Sequence, residues 1–311
     1  MHIHDWKTGS ILKWSIVLML LLAVAEGVAG YLANSLALLS DAGHNFTDSL
    51  ALVLAWFAFY VQSKPATEVK TYGYHRAGVL AAFVNALLLV ALAGYIFLEA
   101  YHRLRTPHAV NPEWMMIVAA LGFVIDASVS AALLRHSHDD INLRTAFFHT
   151  AADAVSTAGI VVGGWVIQRT GWQQIDPLLS VLIGGLILWS SLGIIHEALN
   201  ILLEGLPRGL KLETVIASLL RVPGVRDVHD VHIWSLGSHN HAMSCHVAIA
   251  DIPPSESCEI LKQINRTLET EFRISHTTIQ FEHAVCDISP HCYAPAETTE
   301  RRRGDRRVER Y

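Results

Sequence analysis

Two His-x-x-x-Asp pairs, His44 with Asp48 and His149 with Asp153, stand inside otherwise apolar stretches long enough to cross a bilayer. On a helix four residues turn through about 400°, so each histidine and its aspartate share one face, about one turn apart. Two such faces turned toward each other would offer two imidazoles and two carboxylates. That is a four-ligand N2O2 set of the kind zinc and its neighbours accept in tetrahedral geometry. Ionisable residues at membrane depth are costly, and by default they mark a functional site. The alternative use of each pair is a hydrogen-bonded contact between helices; the repeat of one spacing in two spans favours a metal. Asp41 extends the first stripe (41, 44, 48), as an orienter of the ligands or as a cytoplasm-side helix-end residue.

The rest of the chain supplies the elements that would hold such a site. Of its 311 residues, 52% are hydrophobic and 16% charged, with a mean hydropathy of +0.35. The apolar residues concentrate in the first two thirds, and runs of roughly 20 residues or more are the signature of membrane spans. Six are expected, about 11–33, 36–62, 77–100, 113–135, 145–168 and 175–199. The first follows a polar MHIHDWKTGS leader without a small-residue cleavage site, so it reads as an anchor. With the N-terminus inside, the inner segments hold Lys7, Lys13, Lys64, Lys70, Arg76, Arg135, Arg144, Arg208 and Lys211, the outer loops only Arg103, Arg105 and Arg169. That asymmetry places both termini in the cytoplasm. The net charge of −5 decides little, because acidic residues barely influence topology.

After ILLEGLP (201–207) the pattern changes to that of a small soluble unit. Residues 210–221 read as an amphipathic helix with Leu210, Val215, Leu219 and Leu220 toward a core. Segments 225–237 and 242–251 alternate as strands, a second helix covers about 256–272, and 276–282 is a third strand. The expected domains are a six-helix transmembrane domain (1–207), an αββαβ cytoplasmic domain (208–290), and a charged, disordered tail (291–311). All four cysteines, Cys245, Cys258, Cys286 and Cys292, fall in this C-terminal third. In a reducing cytoplasm they point to packing or thiolate ligation rather than disulfides.

LALLSDAGHNFTDSLAL in the second span and FFHTAADAVSTAGIVVGG in the fifth are similar to segments of the cation diffusion facilitator family. So are YGYHRAGVLAAFVNALLL entering the third span, and HDVHIWSL and HTTIQFE in the soluble part. The likeness runs from about residue 10 to 283 and is nearest to the bacterial zinc/cobalt/cadmium efflux branch and to animal zinc transporters. The resemblance implies a homodimeric metal/proton antiporter with six transmembrane helices and a ferredoxin-like cytoplasmic domain, and adds metal binding and dimerisation to that domain (208–290). It maps His44, Asp48, His149 and Asp153 onto the transport site, and His229, His246 and Glu282 onto cytoplasmic zinc ligands. His232, Cys258, His276, Cys286 and Cys292 are further ligand candidates. Arg76 and Glu204 match positions that form a charge interlock in relatives; otherwise they are solvated surface charges.

The expected function is export of Zn(II) from the cytoplasm in exchange for protons. Imidazole titrates near 6.5, so it can trade a metal for a proton close to neutral pH. No catalytic cofactor is expected; Zn(II) serves as substrate and as a bound cytoplasmic ion with a regulatory or structural role. Partners are Zn(II), protons, membrane lipid and a second copy of the chain, with no nucleic acid, and the bacterial inner membrane is the expected location. The alternatives are Co, Cd or Fe(II) efflux by the same mechanism, an intramembrane metallohydrolase, and a membrane metal sensor. Glu26, Asn85 and Asp126 are the other polar residues in the spans. Asp126 reads as a protonated carboxyl bonded to a neighbouring helix, or as an extra carboxylate that modifies proton coupling.

Overall fold

A computed structural model describes residues 5–134, 141–237 and 240–283. The chain forms two compact units. One takes the chain up to Ser63 and again from Leu80 to His196, the other Lys64–Val79 and the chain from Glu197 onward.

The first unit is built on six helices: α1 (Asp5–Ala33), α2 (Leu36–Gln62), α3 (Ala77–Arg105), α4 (Pro112–Leu134), α5 (Ile141–Thr170) and α6 (Ile175–Leu202). At 23 to 30 residues and 1.5 Å per residue, each exceeds the roughly 30 Å hydrocarbon core. By length and composition α3, α4, Phe147–Thr170 of α5 and α6 can cross a membrane, and α1 holds a shorter apolar run, Met19–Ala33. α2 is as long, but Asp41, His44, Asn45 and Asp48 interrupt its apolar surface. The helices overrun the expected spans at several ends. α3 continues through His102, Arg103 and Arg105 in its last turn, where cations suit the negative end of the helix dipole.

The unit is apolar outside and encloses several polar groups within an apolar core. Leu21, Tyr31, Phe59, Leu98 and Trp189 face outward, whereas Glu26, Asp41, Ser49, Thr157 and Asp176 are buried. Exposed apolar surface on this scale fits a lipid solvent. α1 and α2 approach closely because residue 30 is glycine: a Cβ there would lie 3.0 Å from the backbone nitrogen of Leu39.

The start of α2 is locked from two other helices. Ser35 is its N-cap and accepts from Leu38 N–H. Asp176 of α6, fully buried, accepts from the Ser35 hydroxyl (2.6 Å) and from Leu36 and Ala37 N–H (2.7 and 3.2 Å). Arg103 of α3 donates to the Asn34 carbonyl at 2.7 Å and stands 3.9 Å from Asp176. This knot sets the origin from which His44 and Asp48 are counted along the helix.

The second unit has the expected αββαβ order: α7 (Leu212–Leu219), β1 (Asp227–Ser235), β2 (His241–Ala248), α8 (Pro254–Phe272) and β3 (Ile274–Glu282). The sheet runs β1-β2-β3, with β1 antiparallel and β3 parallel to β2. Val215 and Leu219 of α7 and Ile260, Ile264 and Leu268 of α8 pack on Met243, Cys245 and Val247, the alternate residues of β2. Leu220 departs from expectation: it is the C-cap of α7 and exposed, because the helix ends before its next core-facing position.

The other sheet face carries chemistry. Along it His229 pairs with His246, but the next pair is His232 with Ser244. Three steps on β1 therefore match two on β2, a β-bulge, with Asp230 at φ 51° supplying the extra residue. The bulge brings His229 and His232 to the same face as His246. Residues 291–311, Cys286 and Cys292 lie outside the described residues.

Candidate functional site

The two His-x-x-x-Asp pairs meet between α2 and α5. His44 Nε2 lies 3.7 Å from Asp48 Oδ2 on its own helix and 3.5 Å from Asp153 Oδ1 on the other. His149 Nε2 lies 3.7 Å from Asp153 Oδ2 on its own helix and 2.9 Å from Asp48 Oδ2 across the gap. Two imidazole nitrogens, one oxygen of Asp48 and both oxygens of Asp153 thus converge from two helices, with the imidazole rings edge to face at 5.9 Å. One donor atom each from His44, Asp48 and His149 lies within 4.8 Å of the others. A tetrahedron with metal–ligand bonds of about 2.0–2.1 Å has edges of about 3.3–3.4 Å. The four His–Asp separations, two of them to different oxygens of Asp153, bracket that edge. The His149 side chain is half exposed (52%), while those of His44, Asp48 and Asp153 are mostly enclosed. Asp41 is buried in the second turn of α2, with Oδ2 unpartnered among the described residues. It is therefore no surface helix-end residue.

A second cluster sits on the open face of the sheet. Glu282 Oε2 is 3.3 Å from His229 Nε2, and Glu282 Oε1 is 2.9 Å from His246 Nδ1. One donor atom from each of the three lies within 4.8 Å of the others, as a metal would need. Asp227 contacts His229 Nδ1 at 3.1 Å and Gln280 donates to Glu282 at 3.0 Å, contacts of the kind that would orient these groups toward a metal. The bulge residue Asp230 adds a carboxylate that sequence reading missed: it is 3.1 Å from His232 Nε2 and 3.7 Å from His246 Nε2. Its only sequence signal is its place between two histidines on a strand.

The remaining candidates stand apart from this trio. Cys258 is exposed on α8, and His276 stacks edge to face on Tyr72 at 5.3 Å. Cys245 is core packing: burial first, and Asp230 second, push its thiol up to about 12. Arg76 and Glu204 do pair, at 3.2 Å, and Arg76 also reaches the Ser235 carbonyl at the end of β1.

Residues 12–203 match the family described as the cation efflux transmembrane domain, and residues 207–284 match the cation efflux protein cytoplasmic domain. The chain is 37% identical to the metal cation efflux system protein CzcD of Cupriavidus metallidurans, over 92% of this chain and 91% of that one. It is 34% identical to the cadmium, cobalt and zinc/H(+)-K(+) antiporter of Bacillus subtilis, over 90% and 91%. With the zinc transporter ZitB of Escherichia coli it shares 38% identity over 87% and 86%. A solved metal-bound C-terminal domain of a CzcD transporter shares 37% identity over 24% of this chain and 99% of its own, with a TM-score of 0.22. The long apolar helices, the small α/β unit that follows them in the sequence, and the family and relative matches along nearly the whole chain agree. The chain belongs to the cation efflux (cation diffusion facilitator) family, as an integral multi-pass membrane transporter with a cytoplasmic C-terminal domain.

Proposed function

We propose that this protein exports Zn(II) from the cytoplasm in exchange for protons, with His44, Asp48, His149 and Asp153 as the exchange point. The observation that carries this reading is the convergence of two imidazole nitrogens and two carboxylates at 2.9–3.7 Å from two helices. Two nitrogens and two carboxylate oxygens favour zinc over harder ions, with cobalt and cadmium close behind. The names of the Bacillus and Escherichia relatives point the same way.

Coupling follows from the contacts themselves. An imidazole Nε2 at 2.9 Å from a carboxylate oxygen shares a proton with it. Zinc needs the same nitrogen bare and the same carboxylate ionised, so loading the metal expels that proton and reprotonation expels the metal. Entry of protons from the outer side then drives release there. A rocking movement of helices about the site provides alternating access.

In the cytoplasmic domain His229, His246 and Glu282 fit a bound zinc, which would supply a charge that ties β1, β2 and β3 together on one face. Two such domains pair in a homodimer, and the ion favours the arrangement that binds it better. The resident membrane is the bacterial inner membrane, with the N-terminus also in the cytoplasm. The chain is a transporter, not an enzyme, which sets aside the metallohydrolase alternative. Flux into liposomes under an imposed pH gradient, with zinc, cobalt and cadmium competing, tests the assignment. Zinc transport by Asp153→Ala at the wild-type rate would sink it.

A further inference from the structure

Glu26 lies in α1 with no exposed surface. Its two carboxylate oxygens have different surroundings. Oε2 accepts from Asn45 Nδ2 of α2 at 2.8 Å. Oε1 is enclosed and has no hydrogen-bond partner among the described residues. The space for Oε1 comes from Gly122 of α4, where a Cβ would lie 2.8 Å from it, with Thr157 of α5 on the same side. One turn beyond Gly122, Asp126 adds another carboxyl. The charged groups acting on Glu26 from the neighbouring helices are Asp41 of α2, Asp126 of α4 and Asp153 of α5, all acidic. Among the described residues no lysine or arginine pairs with it.

An ionised carboxylate with one bare oxygen, shut away from water among other acids, costs several kcal/mol. A proton on Oε1 removes that cost, and so does a cation brought nearby. A purely structural need, to hold Asn45 next to His44, would be met by glutamine at no electrostatic cost. We infer that Glu26 is a second proton-binding site of the transporter, separate from the four metal ligands and emptied when zinc enters them. This rests on the zinc/proton exchange proposed above. Zinc adds two positive charges among carboxylates that act on Glu26, so the Glu26 O–H releases its proton to water as the metal binds. The carboxylate left behind is balanced by the zinc. When zinc leaves, a proton from water returns to Oε1. Metal and proton thus compete through their fields without sharing an atom.

The experiment compares the full-length wild type with Glu26→Gln in liposomes carrying a zinc dye and a pH dye. Glutamine keeps the shape and an oxygen to accept from Asn45, but it cannot exchange a proton. Expected for Glu26→Gln are zinc affinity within about threefold of wild type, one proton fewer moved per zinc, and a flatter dependence of flux on pH. In infrared difference spectra the wild type loses a protonated-carboxyl C=O band on adding zinc, and Glu26→Gln lacks that change. An unchanged proton-to-zinc ratio and an unchanged infrared difference would overturn the inference. So would lost zinc binding, which makes Glu26 a support for α2, or lost dependence on a potassium gradient with proton coupling intact, which makes the ligand a metal cation. If the wild type itself moves zinc without protons, the exchange reading falls first, and the wild-type arm reports this independently of the variant.

Discussion

His149 approaches Asp48, on the opposite helix, more closely than it approaches Asp153, four residues along its own: 2.9 Å against 3.7 Å. His44 shows the same order, with 3.5 Å to Asp153 and 3.7 Å to its own Asp48. The pairing is therefore crossed. The i,i+4 spacing puts each pair on one face, but the contacts that close the site are made between α2 and α5.

Crossed pairing makes the two helices act as a unit. Asp48→Ala and His149→Ala should each lower zinc affinity at the transport site by at least about 100-fold, the upper end of what losing an outer contact costs. The double variant should lose little more than either single one. Dye-competition titration of the purified variants checks this; additive losses would mean that the two residues bind independently.

Asp176 should matter for folding more than for metal. Asp176→Ala leaves the Ser35 hydroxyl and the Leu36 and Ala37 N–H groups without their acceptor. At about 1–3 kcal/mol for each buried unsatisfied group, a loss of several kcal/mol is expected. Denaturant unfolding in detergent should show it, with Asp176→Asn falling between the variant and wild type.

Zinc should stabilise the cytoplasmic domain through its own cluster. At a free concentration 100 times Kd, one bound ion adds about 2.7 kcal/mol. Calorimetry of that domain's transition in the full-length protein should show an upward shift in wild type that His246→Ala removes. Chelator should reverse it in wild type alone.

The two described cysteines should differ sharply in reactivity. Cys258 is exposed and Cys245 buried, with its thiol raised from an ordinary 9.0 to about 12. At neutral pH a maleimide should label Cys258 in the folded protein and Cys245 only after unfolding. Because the folded value is the higher one, the unfolded chain ionises first. Cys245 therefore contributes full stability below about 9 and progressively less as pH rises toward 12. Cys245→Ser should flatten that alkaline slope.

The six long helices and the αββαβ order were legible because hydropathy and strand alternation report burial directly. The meeting of the two His-x-x-x-Asp pairs was legible because i,i+4 spacing fixes a face whatever the partner helix does. Other features were hidden. The Asp176 knot joins residues about 140 positions apart, a distance no local pattern encodes. Asp230 looked like an ordinary strand residue, since a bulge leaves no mark in hydrophobicity. Leu220 looked core-facing because the helix was read one residue beyond its last hydrogen-bonded turn. Asp41 read as an orienter of the ligands or as a helix-end charge; its burial removes only the second.

The bulge at Asp230 gives β1 a parity. On an unbroken strand an H-x-x-H spacing sends its two histidines to opposite faces; one inserted residue reverses that rule for everything after it. Straightening the strand with all its residues kept would act on it as a frameshift acts on a message. With the His229–His246 pair held and every residue kept, Val231 would turn out to the open face and His232 inward against Met243 and Cys245. A domain that must pack and also display polar groups thus depends on counting as much as on composition: deletion of Asp230 leaves His229 and His232 two residues apart on one face, and removes only the carboxylate between them.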